Sequence, residues 1–356
     1  MLKKILIIAG IVLAAAIIVL GYLWYAMGKP MYEPGMVKNG KNLRAPLDPP
    51  QQTGEADYWL VEKDIKLYHF SSGNGKNVLV VHGGPGFPMD KPLSALSDVK
   101  YRFHYYDQRG CGRSTKPFDR FSGSNYFENM KTLEHTLGLG AQVADIERIR
   151  RILNVDRLAL MGHSFGAFLA VLYAAEFPER VESLVLVSPA AVLALPSESG
   201  DFYGRINELL PENMKNDFKN FQARYFDFQN IFSKSEADLS GLNLEFLKYY
   251  GPAAKAAGMP LPEFRRPVGS NGWMTFGMLF SMGKTHDYRK ALTNPSIPAL
   301  VIHGAKDLQS EQGSREYCGI LKNSKLVVLE KAGHFGFNDQ PAEFSKTVRD
   351  FLDTIK

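Results

Sequence analysis

From Tyr58 onward, short apolar runs alternate with amphipathic stretches of helical length. The runs are "YWLVE", "IKLYHF", "NVLVVH", "YRFHYYD", "RLALMG", "SLVLVS", "IPALVIHG" and "KLVVLE"; helical spacing marks 142–153, 165–177, 311–321 and 342–355. Short β-branched runs separated by helices predict an α/β fold with a mostly parallel sheet covered on both faces. The first two runs are closely joined and predict an antiparallel edge. Between about Pro189 and Leu292 the rhythm breaks, and Phe, Tyr, Asn, Lys and Glu recur at helical spacing, as in "KNFQARYFDFQNIF". A structureless loop of that length is implausible inside a compact domain, so 189–292 is expected to be a helical cap inserted between core segments 58–188 and 293–356.

Ahead of the core, 24 residues between Lys4 and Lys29 carry no charged side chain. At 1.5 Å per residue they are long enough to cross about 30 Å of hydrocarbon. Tyr22, Trp24 and Tyr25 sit at the far end, where an aromatic belt belongs. Residues 1–28 are therefore expected to be a single-pass transmembrane anchor, with a cleaved signal peptide ending near Ala26-Met27-Gly28 as the alternative. Lys3 and Lys4 favour an extracytoplasmic body, secreted if the segment is cleaved. Residues 29–57 are rich in Pro, Gly, Asn and Lys and are expected to form a linker.

Composition narrows the function classes. The 356 residues are 45% hydrophobic and 22% charged, ordinary for a globular chain, and a net charge of +5 is not gathered into a basic block, so nucleic acid is not an expected partner. Two cysteines, Cys111 and Cys318, are too few for a disulfide scaffold and are expected to be unpaired thiols. Neither a cofactor nor a metal is expected.

The chemistry lies at strand ends. "RLALMG" runs into Gly162-His163-Ser164-Phe165-Gly166 and then an apolar helical stretch, the strand, sharp turn and helix of a nucleophile elbow. A serine hydroxyl needs a base, and the base needs an orienting acid, which in this arrangement follow in the order acid then histidine. Asp307 follows "IPALVIHG" and His334 follows "KLVVLE", with His303 as the rival base. Ser164, Asp307 and His334 are the candidate catalytic residues. The glycine-rich turn His82-Gly83-Gly84-Pro85-Gly86 ends "VLVV" and suits a backbone that must approach a substrate closely. The N–H groups of Gly84 and Phe165 are the candidate oxyanion-hole donors. Gly83, Trp273 and Phe276 are candidate substrate contacts, although a Phe, Trp and Met stripe in the cap is more often the cap's own core.

With these residues assembled, the chain resembles the prolyl aminopeptidase (proline iminopeptidase) family of α/β-hydrolases. "HGGPG", "YYDQRGCGRS" (Tyr105 to Ser114) and the order Ser164, Asp307, His334 carry the resemblance, which covers roughly 58–356. It implies the α/β-hydrolase fold and a peptidase that removes amino-terminal residues from short peptides through an acyl-enzyme. It also implies that Arg109 and Arg113 hold loops by ion pairs. Two features depart from the family: its elbow usually reads Gly-Gly-Ser-Trp-Gly, and its cap carboxylates, which bind the free amine, have no acid to match them in "GWMTFGMLFSMG". A carboxylic-ester hydrolase on an apolar acyl substrate is the alternative, and a silent surface protein binding a ligand in the same pocket is another. The expected partner is a small-molecule or short-peptide substrate, with a membrane reached through the amino-terminal segment.

Overall fold

The computed structural model describes residues 28–260, 271–292 and 296–355. The expected amino-terminal anchor or signal lies outside the described residues, apart from Gly28. Among the described residues no helix is long and apolar enough to cross a membrane.

Eight strands form one sheet: β1 (Tyr58–Glu62), β2 (Ile65–Ser72), β3 (Lys76–Val81), β4 (Tyr101–Tyr106), β5 (Leu158–His163), β6 (Val181–Val187), β9 (Ala299–Gly304) and β10 (Ser324–Leu329). Their order is β1-β2-β4-β3-β5-β6-β9-β10, antiparallel across β1, β2 and β4 and parallel from β4 to β10. Two-residue strands β7 (Ala194–Leu195) and β8 (His286–Asp287) pair at the base of the insertion. Side chains alternate across a strand, so each central strand feeds two cores. Leu79, Val81, Leu160, Leu186 and Val301 join one core, while Val78, Val80, Met161, Val185 and Ile302 join the other.

Helices cover both faces. The first core receives α2 (Leu139–Ile152), α3 (Phe165–Glu176) and, through Tyr317, α8 (Glu311–Ile320). The second receives Phe337 of α9 (Gly336–Asp339) and Phe344, Val348 and Leu352 of α10 (Pro341–Leu352). The insertion supplies α4 (Phe202–Leu209), α5 (Glu212–Tyr225), α6 (Glu236–Ala256) and α7 (Gly272–Met282). Its aromatic core also takes in Leu133 and Leu137 of α1 (Tyr126–Leu137), whose first turn is capped by the Asn125 side chain. Helix α7 serves both bodies: Trp273 and Phe276 enter the cap core, whereas Met274, Met278 and Met282 enter the main one.

The stretch expected to be a linker is fastened to the body. Tyr32 and Val37 are fully buried. Buried Glu176 at the end of α3 accepts hydrogen bonds from the Tyr32 hydroxyl at 2.9 Å and from the N–H groups of Val37 at 3.2 Å and Lys38 at 2.9 Å. Further along, Arg148 donates to the carbonyls of Ala45 and Pro46. Two apolar anchors among polar residues leave no periodicity, so composition alone reads this segment as a spacer.

Arg109 holds loops by ion pairs, as the family resemblance implies. Its guanidinium, fully buried, donates to Asp145 at 2.6 Å and Glu62 at 2.7 Å, and Arg148 joins the same two carboxylates at 3.1 and 3.0 Å. Arg113 instead stacks over Tyr68, 4.4 Å from the ring centre. Cys111 and Cys318 are free thiols.

Candidate active site

Ser164 stands between β5 and α3 with φ 54° and ψ −120°, a conformation that side chains rarely adopt. The turn closes only because its neighbours are bare. A Cβ on Gly162 would lie 2.4 Å from Ala167 Cα, and one on Gly166 would lie 2.1 Å from the Val81 carbonyl oxygen. The Ser164 N–H donates to the Val187 carbonyl at 2.9 Å, which pins the elbow to β6.

Asp307 and His334 come from the loops after β9 and β10. The parallel pairing of those strands brings the two loops together, and His334 Nδ1 donates to Asp307 Oδ2 at 2.7 Å. The Gln309 N–H donates to the other carboxylate oxygen at 2.9 Å. Burial pushes the Asp307 carboxyl up, but the adjacent His334 and the Gln309 N–H outweigh it and hold it below the usual carboxylate range. With Nδ1 committed as a donor, the neutral ring's lone pair is on Nε2, and His334 and Ser164 line the same cavity. The His334 loop is braced twice: its carbonyl accepts from His163 Nε2 at 2.8 Å, and Asp339 accepts from the Gly333 N–H at 2.8 Å. His303, the rival base, is buried on β9 with Nδ1 3.0 Å from Ser314 Oγ, and does not line the cavity.

The glycine turn lies directly against the elbow. A Cβ on Gly83 would lie 2.7 Å from the His163 carbonyl oxygen and 2.8 Å from Ser164 Cβ. Gly84 follows at φ +118°, and Gly84 and Pro85 are joined by a cis peptide. The preceding His82 is fully buried: its Nε2 accepts from the Gln108 N–H at 3.1 Å, and the Gln108 side chain donates to the His82 carbonyl at 2.8 Å. The loop beginning at Asp107 thus fixes the turn from behind. Phe165 is the first residue of α3, where backbone N–H groups have no acceptor within the helix. Gly83 and Gly84 line the cavity beside Ser164 and His334.

That cavity, of about 600 Å³, is walled on the cap side by Phe202, Tyr203, Tyr225, Asn243, Phe246, Leu247, Tyr250, Thr275 and Leu279. Trp273 and Phe276 do not line it. Both are buried in the cap core, and the Trp273 Nε1–H donates to the Asp119 carbonyl at 3.0 Å. Thr275 and Leu279, on the opposite side of the same helix, face the cavity instead. The sequence reading also missed Gln309, whose Nε2 lies 3.5 Å from Ser164 Oγ. Among the described lining residues the only charged side chains are Asp90 and Lys91, adjacent and exposed on the loop after the glycine turn. Glu245 of the cap is occupied elsewhere, accepting from Arg224 at 2.6 Å. Among the described residues no group of three or more His, Cys, Asp or Glu side chains is placed to hold a metal ion.

Known proteins bear on this geometry in three ways. A family model described as the alpha/beta hydrolase fold matches residues 76–341. The chain is 26% identical over 300 residues to a proline iminopeptidase of Saccharolobus solfataricus, covering 82% of this chain and 88% of that one, and 27% identical over 295 residues to a proline iminopeptidase of Heyndrickxia coagulans, covering 80% and 93%. Among solved structures it is similar in fold to a proline iminopeptidase-related protein from Thermus thermophilus, with a TM-score of 0.56 at 22% identity over 84% of this chain and 96% of the other.

Proposed function

The chain belongs to the alpha/beta hydrolase fold family, and from that premise we propose that it is a serine hydrolase that cleaves an ester or amide of an uncharged, apolar acyl group through an acyl-enzyme. Ser164 Oγ attacks the carbonyl carbon while its proton passes to His334 Nε2. Asp307, kept ionised, holds the His334 ring by Nδ1–H and stabilises the imidazolium that forms. The negative charge on the tetrahedral oxygen is received by the N–H groups of Gly84 and Phe165, each contributing on the order of 3 kcal/mol to lowering the barrier. As the intermediate collapses, His334 returns its proton to the leaving group. Water then enters, gives a proton to His334 Nε2 as it attacks the acyl carbon, and the bond to Ser164 Oγ breaks as His334 returns that proton to Oγ, releasing the acid.

The observation that carries the acyl preference is the cap-side wall, aromatic and aliphatic with neutral Asn243 and Thr275 and no carboxylate among its described residues. A peptide with a free amino terminus would bring an ammonium ion into that space. Among the described cap-side residues it meets no carboxylate, and burying a charge without a partner costs several kcal/mol. The second reading, a prolyl aminopeptidase-like peptidase, is supported by the curated relatives, which are named proline iminopeptidases. Side-by-side assay of p-nitrophenyl esters of increasing acyl length and of proline p-nitroanilide separates the two. Ester turnover with no release from the unblocked anilide is expected; release of p-nitroaniline from proline p-nitroanilide supports the peptidase instead. We also propose that residues 1–28 tether the enzyme to a membrane with the catalytic body extracytoplasmic, a reading supported by the 24-residue uncharged stretch between Lys4 and Lys29.

A further inference from the structure

The glycine turn that carries the Gly84 N–H is held from the cap as well as from the sheet. Asn271, immediately before α7, donates from Nδ2 to the Gly86 carbonyl at 3.1 Å and to the Pro85 carbonyl at 3.4 Å. Its approach depends on the turn's last glycine: a Cβ on Gly86 would lie 2.5 Å from Asn271 Cβ. The orientation of the amide is fixed from behind, because Oδ1 accepts from Asn243 Nδ2 at 3.2 Å and from Ser240 Oγ at 3.4 Å on α6. Thr275 Oγ1 lies 2.9 Å from the Asn271 carbonyl and 3.4 Å from the Pro85 carbonyl, and receives a bond from Asn243 Nδ2 at 3.0 Å. Tyr225 of α5 completes the chain by donating to Asn243 Oδ1 at 2.9 Å.

All of these side chains are buried, so breaking one of their bonds leaves a polar group poorly solvated. The start of α7 is itself clamped, since Glu236 accepts from the N–H groups of Gly272 at 2.8 Å and Trp273 at 2.7 Å. Three members of the network, Tyr225, Asn243 and Thr275, also line the cavity. The wall that meets the acyl group and the support of the oxyanion turn are therefore one hydrogen-bonded unit.

We propose that Asn271 and Thr275 are positioning residues that set the oxyanion hole, so that Gly84 presents its N–H to the tetrahedral intermediate only when the cap is in place. This rests on the serine-hydrolase reading above. A donor that misses the developing oxyanion loses its transition-state contribution while leaving ground-state binding nearly untouched. The loss should therefore fall on kcat rather than on KM.

The test uses the full chain, p-nitrophenyl esters, and an alkyl trifluoromethyl ketone. The ketone carbon forms a bond to Ser164 Oγ, the hydroxyl proton moves to His334, and the resulting oxyanion occupies the hole. Asn271→Ala and Thr275→Val are each expected to lower kcat about tenfold or more at a KM within about twofold of wild type. Affinity for the ketone should weaken by the same factor, and Thr275→Ser, which keeps the hydroxyl, should recover most of the Thr275→Val loss. Variants that unfold are identified by melting temperature, and Thr275→Val, close to the same volume, keeps the test open if Asn271→Ala does not fold. Unchanged ketone affinity in folded variants, or a loss confined to KM, would overturn the proposal. If wild type neither turns over esters nor binds the ketone, the serine-hydrolase reading fails instead.

Discussion

His163 and His334 are joined ring to backbone: the Nε2–H of His163, the residue before the candidate nucleophile, donates to the His334 carbonyl at 2.8 Å. Burial above all pushes the His163 imidazole down to about 3, so it stays neutral and keeps this one donor across the working range. The residue that departs from the usual Gly-Gly-Ser-Trp-Gly elbow thus braces the loop of the candidate base. His163→Phe keeps the packing against Phe335 and Phe337 but leaves the buried carbonyl unpaired. It is expected to cost about 1–3 kcal/mol of stability and to reduce kcat, measured by chemical denaturation and ester turnover.

Gly83→Ala tests the contact between the glycine turn and the elbow. The new methyl would fall 2.7–2.8 Å from the His163 carbonyl oxygen and Ser164 Cβ, so turn or elbow must shift. A loss of about 2 kcal/mol in stability and of at least roughly 100-fold in kcat is expected, read from a melting curve and ester turnover.

The strands and the elbow were legible in the sequence because their signals are local. Residues 158–163 are buried on both faces and read as a nearly continuous apolar run, and Gly162 is bare for a steric reason that acts within five residues, its contact with Ala167; Gly166 is bare because Val81 and His82 pack against it from the neighbouring strand. The cavity wall was not legible. Helix α7 is apolar nearly all round, so its sequence does not say that Trp273 and Phe276 turn into the cap while Thr275 and Leu279 turn to the cavity. That choice is made by how the cap sits on α1 and on the main core. Asn243 and Asn271 were equally silent, since a buried amide looks like a surface one until its partners are known.

Glu176→Ala tests the docked amino-terminal segment. It removes the acceptor of the Tyr32 hydroxyl and of the Val37 and Lys38 N–H groups. Losing charged hydrogen bonds in a buried site is expected to cost at least about 3 kcal/mol. Limited proteolysis should then cut within 30–57 faster than in wild type, whereas a free spacer would be cut equally in both.

Glu134 supplies a pH dependence of stability. Burial drives its carboxyl up from 4.5 to about 7, against the opposing bonds from Ser281 and Asn42. The folded protein therefore holds a proton that the unfolded chain releases, and the stability this confers is complete below about 4.5 and lost as pH rises through about 7. Glu134→Gln stays neutral, so relative to wild type it should gain up to about 3 kcal/mol between pH 5 and 8. Denaturant titrations at the two pH values measure the difference, and a constant offset between the proteins would contradict it.

The central claim is that Ser164 becomes covalently acylated, and intact-protein mass spectrometry after treatment with a fluorophosphonate tests it most directly. The phosphorus should bond to Ser164 Oγ with loss of fluoride, giving one adduct per chain in wild type and none in Ser164→Ala. Folded wild type without an adduct, or equal labelling of the two proteins, would contradict the account.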